Sequence, residues 1–298
     1  MCIALLLSAE PVSAKNVPGR ASIPDKVQSP YIGAITIDAA TGRVLFEDHA
    51  DDQGYPASVQ KLMTLFVILD KVSQGAVKLD ESVRVTVEAS KIGGSQVYLD
   101  PKESFPVEDL LYALIVRSAN DAAVLLATHV AGSKDAFVDL MNKKALELGM
   151  KNTTFHSVHG LPPTIGQEPD VTTARDLATL GRALILKHPE ALKYTSTTRR
   201  GFRNNTFIMM NHDHLLVSFP GCDGLKTGYF TQAGYSIVAT AARNNARIIT
   251  VVLGAAKGPN PSHPNAARDA RAAELMNKGF ADLAAQPAPK PAATPKVK

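Results

Sequence analysis

Apolar and polar residues alternate in two stretches near the start of the chain, residues 31–38 and 43–47. The sequence Ala39-Ala-Thr-Gly42 lies between them, and this arrangement predicts an antiparallel β-hairpin with a short turn. Two longer apolar runs, residues 235–242 and 246–254, follow near the other end of the chain and are joined by a polar triplet. These runs predict a second pair of strands.

Helical periodicity dominates the middle of the chain. Between residues 108 and 149 the apolar positions recur at intervals of three and four. They are Leu110, Leu111, Leu114, Ile115, Val124, Leu125, Val130, Phe137, Leu140, Met141 and Leu148. Shorter helical patterns cover residues 58–70 and 266–280. Strands from both chain ends with helices between them predict an α/β protein of the α+β type, in which helices flank one antiparallel sheet and an all-helical lobe is inserted.

The composition is that of a globular domain. Of the 298 residues, 45% are hydrophobic and 20% are charged, which allows a large core. The formal net charge of +4 is small and the lysines and arginines are dispersed, so we expect no nucleic-acid partner. We assign residues 28–283 to one folded domain.

The two ends of the chain differ in composition from this domain. Residues 1–14 are apolar and end in small residues, which predicts a secretory signal peptide without its basic start; a merely apolar terminus is the alternative. Residues 284–298 are rich in proline, alanine and lysine and predict a disordered tail. No later stretch has the roughly 18 apolar residues of a spanning helix. We therefore expect secretion to the periplasm or cell wall, with no integral membrane anchor.

The first candidate for chemistry is the segment Ser58-Val-Gln-Lys61, which opens a helix-like run. Residues three apart lie on one helix face, so the lysine amine can take a proton from the serine hydroxyl. A serine before an apolar helix is also an ordinary N-cap, and in isolation Ser58 favours that interpretation. A lysine acts as base only when burial and a second cation depress its pKa. Lys226 is the candidate for that cation.

Two further segments complete a set with a fixed order along the chain. Ser118-Ala-Asn120 falls between two predicted helices, and Lys226-Thr-Gly228 lies on or just before a predicted strand. Each alone has an ordinary explanation, a hydrogen-bonding loop for the first and a solvent-exposed lysine for the second. The three segments together predict a serine nucleophile, Ser58, with a lysine base, Lys61.

These segments and several others resemble the low-molecular-mass penicillin-binding proteins, serine D-alanyl-D-alanine carboxypeptidases of the penicillin-recognising serine enzyme superfamily. The likeness extends over residues 31–280. It rests on the blocks Pro56-Ala-Ser58 with Lys61-Leu-Met-Thr64, Arg117-Ser-Ala-Asn-Asp-Ala-Ala123, His159-Gly-Leu-Pro162, Thr173-Ala-Arg-Asp-Leu177, and Asp223-Gly-Leu-Lys-Thr-Gly228 with Ala233-Gly234.

The resemblance implies a β-lactamase/transpeptidase-like fold and a D,D-peptidase catalytic domain over residues 28–283. It further implies that the protein removes the terminal D-alanine from peptidoglycan stem peptides through an acyl-enzyme on Ser58. β-Lactam antibiotics such as penicillins would acylate the same residue. No cofactor is expected for this chemistry.

The resemblance also implies a role for each catalytic residue. The nucleophile is Ser58 and its base is Lys61. Ser118 relays the proton toward the leaving D-alanine nitrogen, and Asn120 holds the side-chain amide of the acyl portion. Lys226 contributes positive potential.

A second group of residues would bind the substrate. Thr227 would bond the terminal carboxylate, and Gly228 would keep the strand edge open for a peptide. Backbone N–H groups of Ser58 and Tyr229 would form the oxyanion hole. Arg268 would reach the carboxylate, since a guanidinium suits bidentate recognition, although Arg271 is an alternative counterpart.

Some positions depart from the family pattern or permit another explanation. Gln60 replaces a threonine that is frequent before the lysine, and His212 stands where some relatives carry arginine. His212 and His214 have a spacing that suits a metal, but no third and fourth ligands are evident nearby, so we expect no metal site. Cys222 is interpreted as a small buried hydrophobe.

Three other functions stay open. The first is a D,D-endopeptidase that cuts peptidoglycan cross-links. The second is a noncatalytic wall-binding scaffold, against which stands the presence of every motif residue. The third is a class A β-lactamase, for which a Glu-x-x-Leu-Asn pattern is not found, although Glu168-Pro-Asp170 lies in a comparable loop.

Overall fold

The fold is built on one five-stranded antiparallel sheet, which confirms the predicted α+β class. The computed structural model describes residues 30–256, 263 and 265–285. In chain order the strands are β1 (Gly33–Asp38), β2 (Val44–Asp48), β3 (Ser82–Arg84), β4 (Ser104–Pro106), β5 (Arg199–Phe202), β6 (Phe207–Met210), β7 (Cys222–Phe230), β8 (Gly234–Arg243) and β9 (Ala246–Ala255).

Both chain ends contribute to the main sheet. Its order is β2-β1-β9-β8-β7, with every neighbouring pair antiparallel, while β3-β4 and β5-β6 form separate two-stranded ribbons. The two predicted hairpins thus pair with each other through β1 and β9. Strand β7 lies at one edge of the sheet, so one of its sides is free to receive a partner.

Helices cover both faces of this sheet. In chain order they are α1 (Lys61–Ser73), α2 (Val87–Ser90), α3 (Val107–Val116), α4 (Asn120–Ala131), α5 (Lys134–Glu147), α6 (Ala174–Lys187), α7 (Ala191–Thr195), α8 (Leu215–Ser218) and α9 (Ala266–Ala285). Helices α1 to α5 form the predicted helical lobe. Helix α9 is longer than the predicted 266–280 and ends at Ala285. Positions 284 and 285, which were predicted to begin the disordered tail, are therefore helical.

Side-chain alternation along the strands separates two hydrophobic cores. On β8, Ile237 and Ala239 pack toward α9, where Leu275 and Met276 are buried. Val238, on the opposite face, belongs to the larger core beneath α1 and α6. Because both faces of the sheet are covered, the strand has to be apolar at nearly every position. This explains why residues 235–242 read as a continuous apolar run.

The helical lobe meets the sheet at a short 3₁₀ helix, Ala57–Gln60, which packs against β7. Helix α1 continues directly from it and runs through the centre of the lobe, with residues Lys61–Asp70 all buried. This junction places the start of α1 next to the edge strand of the sheet.

Two sequence predictions fall wholly or largely outside the described residues. The predicted signal peptide, residues 1–14, lies outside them, as does the tail from position 286 onward. None of the helices in the described part of the chain combines the length and the apolar character that a membrane crossing requires.

Candidate active site

Ser58 lies in the 3₁₀ helix at the junction of lobe and sheet, with its side chain partly exposed. The preceding Ala57 has a φ of 48°, a left-handed conformation that is unfavourable for a residue with a Cβ. Such conformations persist where packing enforces them, and they are frequent at functional sites. The turn places Ser58 three residues before Lys61, the first residue of α1, and so at the start of the helical run that the sequence predicts.

Lys61 is completely buried, and its amine contacts three oxygen atoms. Nζ lies 2.9 Å from Ser58 Oγ, 2.8 Å from Asn120 Oδ1 and 2.7 Å from the carbonyl oxygen of His159. The last two atoms can only accept hydrogen bonds. They come from the start of α4 and from the loop before α6, so three separate segments fix the position of this amine.

The surroundings of Lys61 favour its uncharged form. Burial lowers the pKa of Lys61 well below its ordinary value, and the positive charge of Lys226 lowers it further. Asp170 and Asp121 act in the opposite direction, but they do not outweigh burial. The desolvation of an ammonium group is the dominant cause, as expected for a lysine with no access to water.

Asn120 is the first residue of α4, and Ser118 lies just before that helix. Ser118 has a φ of 59°, and its buried Oγ has no hydrogen-bond partner among the described residues. The Asn120 amide nitrogen donates to the Gly93 carbonyl at 2.7 Å, and its backbone N–H donates to the Ser95 carbonyl at 2.7 Å. The loop before β4 therefore orients Asn120 toward Lys61.

Lys226, Thr227 and Gly228 lie on the edge strand β7, with Lys226 and Thr227 buried. Lys226 Nζ donates to the Thr227 carbonyl at 2.9 Å. Burial lowers the pKa of Lys226 to about 7, and the Arg268 guanidinium also lowers it, whereas Asp213 raises it. Burial thus brings Lys226 close to the balance between its charged and uncharged forms near neutral pH.

These segments enclose one cavity of about 380 Å³. Ser58, Ser118, Thr227, Gly228, Tyr229 and Arg268, all predicted site residues, line it. Its other lining residues are Ser95, His212, His214, Tyr235 and Asn265. The structure thus brings together side chains from the 3₁₀ helix, the start of α4, β7 and α9. Lys61, Asn120 and Lys226 lie behind this lining.

Arg268, rather than Arg271, reaches the cavity. Arg268 is only 3% exposed, and Nε and Nη2 donate to Asp269 Oδ1 at 2.8 Å and 2.5 Å. Arg271 instead donates to the Tyr31 hydroxyl at 3.0 Å and pairs with Glu274. The two arginines are one helical turn apart, but Arg268 lines the cavity whereas Arg271 contacts Tyr31.

Tyr229 presents its ring at the mouth of the cavity. It is 51% exposed and stacks on Tyr235, with ring centroids 4.2 Å apart. This pair forms an apolar wall next to the strand edge that a bound peptide would follow. The sequence predicts the place of Tyr229 but not the stacking partner.

Two contributors to the site were missed by sequence reasoning. His159 acts through its backbone carbonyl, and no side-chain pattern signals a carbonyl contact, although the block His159-Gly-Leu-Pro162 marks the loop. Asp213 is buried between two cavity-lining histidines. A carboxylate in the polar segment before a short helix reads as solvent-exposed, so its burial had no sequence signal.

The structure bears on two further interpretations of the sequence, the metal site considered at His212 and His214 and the role of Cys222. Within the described residues, no group of three histidine, cysteine, aspartate or glutamate side chains is arranged to hold a metal ion. His212 Nε2 lies 3.5 Å from Arg117 Nη1, and His214 Nδ1 lies 3.4 Å from Asp269 Oδ2. Cys222 is half-buried, and burial raises the pKa of its thiol to about 12.

The loop comparable to that of class A β-lactamases does not supply a carboxylate to the cavity. Glu168 is exposed and does not line it. Asp170 is buried and accepts hydrogen bonds from the Ser157 hydroxyl at 2.6 Å and from two backbone N–H groups. Gln60 also bonds Ser157 rather than the cavity. The side chains of Asp170 and Gln60 thus stabilise the loop that carries His159 through their hydrogen bonds to Ser157.

The chain is similar to known proteins over most of its length. The sequence profile described as D-alanyl-D-alanine carboxypeptidase matches residues 22–257. The chain is 36% identical over 257 residues to D-alanyl-D-alanine carboxypeptidase DacF of Bacillus subtilis, with 85% of this chain and 63% of that protein covered. It is 40% identical over 239 residues to D-alanyl-D-alanine carboxypeptidase DacC of Escherichia coli, with 77% and 58% covered. The chain thus spans about three fifths of the length of these relatives.

A solved structure shows the same architecture. Penicillin-Binding Protein D2 from Listeria monocytogenes, in its ampicillin-bound form, matches with a TM-score of 0.73 at 32% sequence identity. The match covers 86% of this chain and 100% of that chain.

Proposed function

The chain belongs to the D-alanyl-D-alanine carboxypeptidase family, and on that premise we propose that it is a serine D,D-carboxypeptidase of peptidoglycan. Its substrate is the stem peptide that ends in D-Ala–D-Ala, and its product is the peptide shortened by one D-alanine. The observation that carries this proposal is the contact between the buried Lys61 amine and Ser58 Oγ, 2.9 Å apart. The remaining residues act on this pair or on the substrate.

The Lys61 amine is arranged to receive a proton from Ser58. A neutral amine has two N–H bonds and one lone pair. Asn120 Oδ1 and the His159 carbonyl oxygen each accept a hydrogen bond from one of these N–H groups, because neither oxygen can donate. The lone pair is then left for the Ser58 hydroxyl. Lys61 thus acts as the general base, as the serine and lysine spacing predicts.

Acylation starts when Ser58 Oγ attacks the carbonyl carbon of the terminal D-Ala–D-Ala bond and its proton passes to Lys61. The oxyanion that forms is bonded by the backbone N–H groups of Ser58 and Tyr229. Ser118 donates its hydroxyl proton to the nitrogen of the leaving D-alanine and takes one back from the Lys61 ammonium, and the C–N bond breaks. Its Oγ has no other partner among the described residues, so it is free to bond with substrate. Water then attacks the ester carbonyl, one of its protons returns to Ser58 Oγ, and the shortened peptide leaves with a new terminal carboxyl group.

The substrate is held at both ends of the reacting bond. Thr227 and Arg268 bind the terminal carboxylate at one end of the cavity, and Lys226 contributes positive potential from behind the lining. Asn120 holds the amide of the acyl portion. Each charge-assisted hydrogen bond contributes about 1.5–3 kcal/mol. A free carboxylate is present in the stem peptide and absent at the corresponding position of many cross-linked substrates. This difference favours carboxypeptidase over endopeptidase activity.

β-Lactam antibiotics would use the same site. A penicillin presents a strained amide and a carboxylate in the positions of the peptide bond and terminal carboxylate, so it acylates Ser58. The ampicillin-bound relative supports this assignment. The signal peptide expected at residues 1–14 and the location of peptidoglycan support a location in the periplasm or at the cell wall.

Defined muropeptides test this function. Pentapeptide and cross-linked dimer are supplied at equal concentration, and released D-alanine and dimer cleavage are followed by mass spectrometry. We expect D-alanine release to be the faster reaction and Ser58→Ala to abolish both. Faster dimer cleavage would make the protein an endopeptidase. No cleavage, with no penicillin adduct on Ser58, would favour the scaffold.

Two arginine variants test the carboxylate site. Arg268→Ala should reduce D-alanine release more than dimer cleavage and so narrow the ratio between them. Arg271→Ala is the matched control, because it lies one turn away on α9 and binds Tyr31 instead. Equal effects of the two variants on the ratio would show that Arg268 does not bind the carboxylate.

A further inference from the structure

Tyr229 and Tyr235 form an aromatic pair whose rings the proposed reaction does not use. The two residues stand directly opposite each other on β7 and β8, and their rings are stacked with an angle of 19° between the planes. Tyr235 is 8% exposed, whereas Tyr229 is 51% exposed. Because Tyr235 covers one face of the Tyr229 ring, the opposite face is the open part. Both residues line the cavity that contains Ser58.

The strand register places this pair next to the carboxylate site. Thr227 and Tyr229 are two residues apart on β7, so their side chains lie on the same face of the sheet, about 7 Å apart along the strand. Helix α9 covers that face, because Ile237, which pairs with Thr227, belongs to the core that packs against this helix. Arg268 comes from α9 and lines the same cavity. The aromatic pair and the two groups proposed to bind the terminal carboxylate therefore lie on one side of the site.

This placement brings the side chain of the leaving residue to the aromatic pair. In the proposed binding mode, Asn120 of the helical lobe holds the acyl portion, and Thr227 and Arg268 hold the carboxylate of the leaving residue. The carboxylate and the side chain of that residue are attached to the same carbon atom. A carboxylate bound at Thr227 and Arg268 thus brings this side chain within reach of the open face of the Tyr229 ring.

The space beside the pair is larger than alanine requires. The cavity volume of about 380 Å³ lies within the range of about 300–1,000 Å³ that is typical of pockets for drug-sized ligands. The methyl group of D-alanine covers only a small part of an aromatic ring. A longer apolar side chain on the same carbon would cover more of the Tyr229 ring, and the removal of both surfaces from water is favourable.

We propose that Tyr229 and Tyr235 form a subsite for the side chain of the leaving residue, and that the protein releases D-methionine and D-phenylalanine as well as D-alanine. This inference rests on the proposed function, because it assumes the carboxylate site at Thr227 and Arg268. The bond that breaks is the same amide. Ser58 Oγ forms an ester with the acyl portion, and the D-amino acid leaves with the amide nitrogen as its amine. One water then hydrolyses the ester and completes the carboxyl group of the shortened peptide.

Stem peptides that differ only in the last residue test the proposal. Synthetic peptides that end in D-Ala–D-Ala, D-Ala–D-Met and D-Ala–D-Phe are hydrolysed separately, and chromatography of the released D-amino acid gives kcat/KM. We expect kcat/KM for the two larger residues to be at least equal to that for D-alanine. In Tyr229→Ala the ratio of each to D-alanine should fall about tenfold or more, because the loss of one methylene contact in an apolar pocket changes kcat/KM by about 10–200-fold.

Two further variants separate the role of the ring from a structural one. Tyr229→Phe keeps the ring and should keep the ratio of the natural protein. Tyr98→Ala is the matched control, because Tyr98 is 63% exposed, contacts Phe207 edge-on and does not line the cavity. It should also leave the ratio unchanged. The ratio is the informative quantity, since damage to the fold or to the oxyanion hole slows the release of every D-amino acid alike.

Four outcomes would overturn the proposal. One is slower release of both larger residues than of D-alanine by the natural protein. The second is an unchanged ratio in Tyr229→Ala, and the third is an equal fall of the ratio in Tyr98→Ala. The fourth is a higher ratio in Tyr229→Ala, which would mean that the ring restricts the leaving residue instead of binding it. The proposed function fails separately, if the natural protein releases no D-alanine from the D-Ala–D-Ala peptide.

Discussion

Gly228 of strand β7 approaches the backbone of Ser58 so closely that a Cβ on Gly228 would lie 2.9 Å from the Ser58 nitrogen. The Pro56 carbonyl and the Val59 nitrogen would lie at the same distance. Real Cβ atoms do not come this near to backbone atoms, so glycine is required here for close contact of two backbones. The two N–H groups proposed for the oxyanion hole, those of Ser58 and Tyr229, flank this contact.

Gly228→Ala should therefore damage catalysis more than folding. The methyl group would push β7 away from the 3₁₀ helix and separate the two N–H donors, which costs about 10²–10³-fold in acylation if one donor is lost. Stopped-flow acylation with a fluorescent penicillin measures this rate, and thermal unfolding verifies the fold. Acylation at the natural rate would show that the contact does not align the donors.

We predict that the absence of a Cβ at Gly94 leaves the space that the Asn120 side chain occupies next to Lys61. A Cβ on Gly94 would lie 2.6 Å from Asn120 Nδ2, and the residue has a φ of 77°. Gly94→Ala should destabilise the fold by about 1–2 kcal/mol and slow acylation, because Asn120 would shift away from Lys61. Gly93→Ala is the matched control, since a Cβ there meets no atom within 4 Å. Chemical unfolding and acylation rates are measured for both, and equal behaviour would refute this role.

Lys61→Arg should be nearly inactive although arginine is also a long basic side chain. Arginine does not give up its proton in proteins, so it cannot act as base. Acylation should fall by about 10²–10⁴-fold, the range for loss of a general base. Labelling by fluorescent penicillin reports this loss, with Ser58→Ala as the background. Near-normal labelling of Lys61→Arg would exclude Lys61 as the base.

Removal of the Lys226 charge should move the acid limb of the acylation profile. The Lys226 cation lowers the pKa of Lys61, so in Lys226→Gln the Lys61 amine keeps its proton to higher pH. Because only neutral Lys61 is a base, activity at low pH should be lost first, with a shift of up to about one unit. Lys226→Arg retains the charge and should leave this limb unmoved. If the acid limb lies at the same pH in Lys226→Gln and Lys226→Arg, the charge of Lys226 does not affect the pKa of Lys61.

The penicillin acyl-enzyme should be long-lived. Among the residues that the structure describes, no aspartate or glutamate lines the cavity, so none of them places a carboxylate to activate a water for ester hydrolysis. Intact-protein mass spectrometry should find the adduct stable over many times the period required for its formation. Rapid multiple-turnover hydrolysis of benzylpenicillin would instead support a β-lactamase.

The sequence by itself determined the features that depend on neighbouring residues. Side-chain alternation predicted β1 and β2, continuous apolar runs predicted β8 and β9, and apolar spacing predicted the longer helices of the lobe. The spacing of Ser58 and Lys61 placed both on one helix turn, because residues three apart share a face. The order of the three motifs indicated the family. Each of these properties is encoded within a few residues or in motif order.

Only the tertiary structure decided the features that join distant segments. It selected Arg268 for the cavity over Arg271, since packing against Tyr31 holds the second arginine elsewhere. It also brought the His159 carbonyl to Lys61 across 98 positions, and it buried Asp213, whose sequence neighbours His212 and His214 line the cavity. Distances between such residues follow from how helices and sheet pack, and the pKa of a buried group follows from that packing. Local sequence determines neither the distances between distant residues nor the pKa of a buried group. The chemistry of Lys61 and Lys226 is therefore a property of the assembled fold.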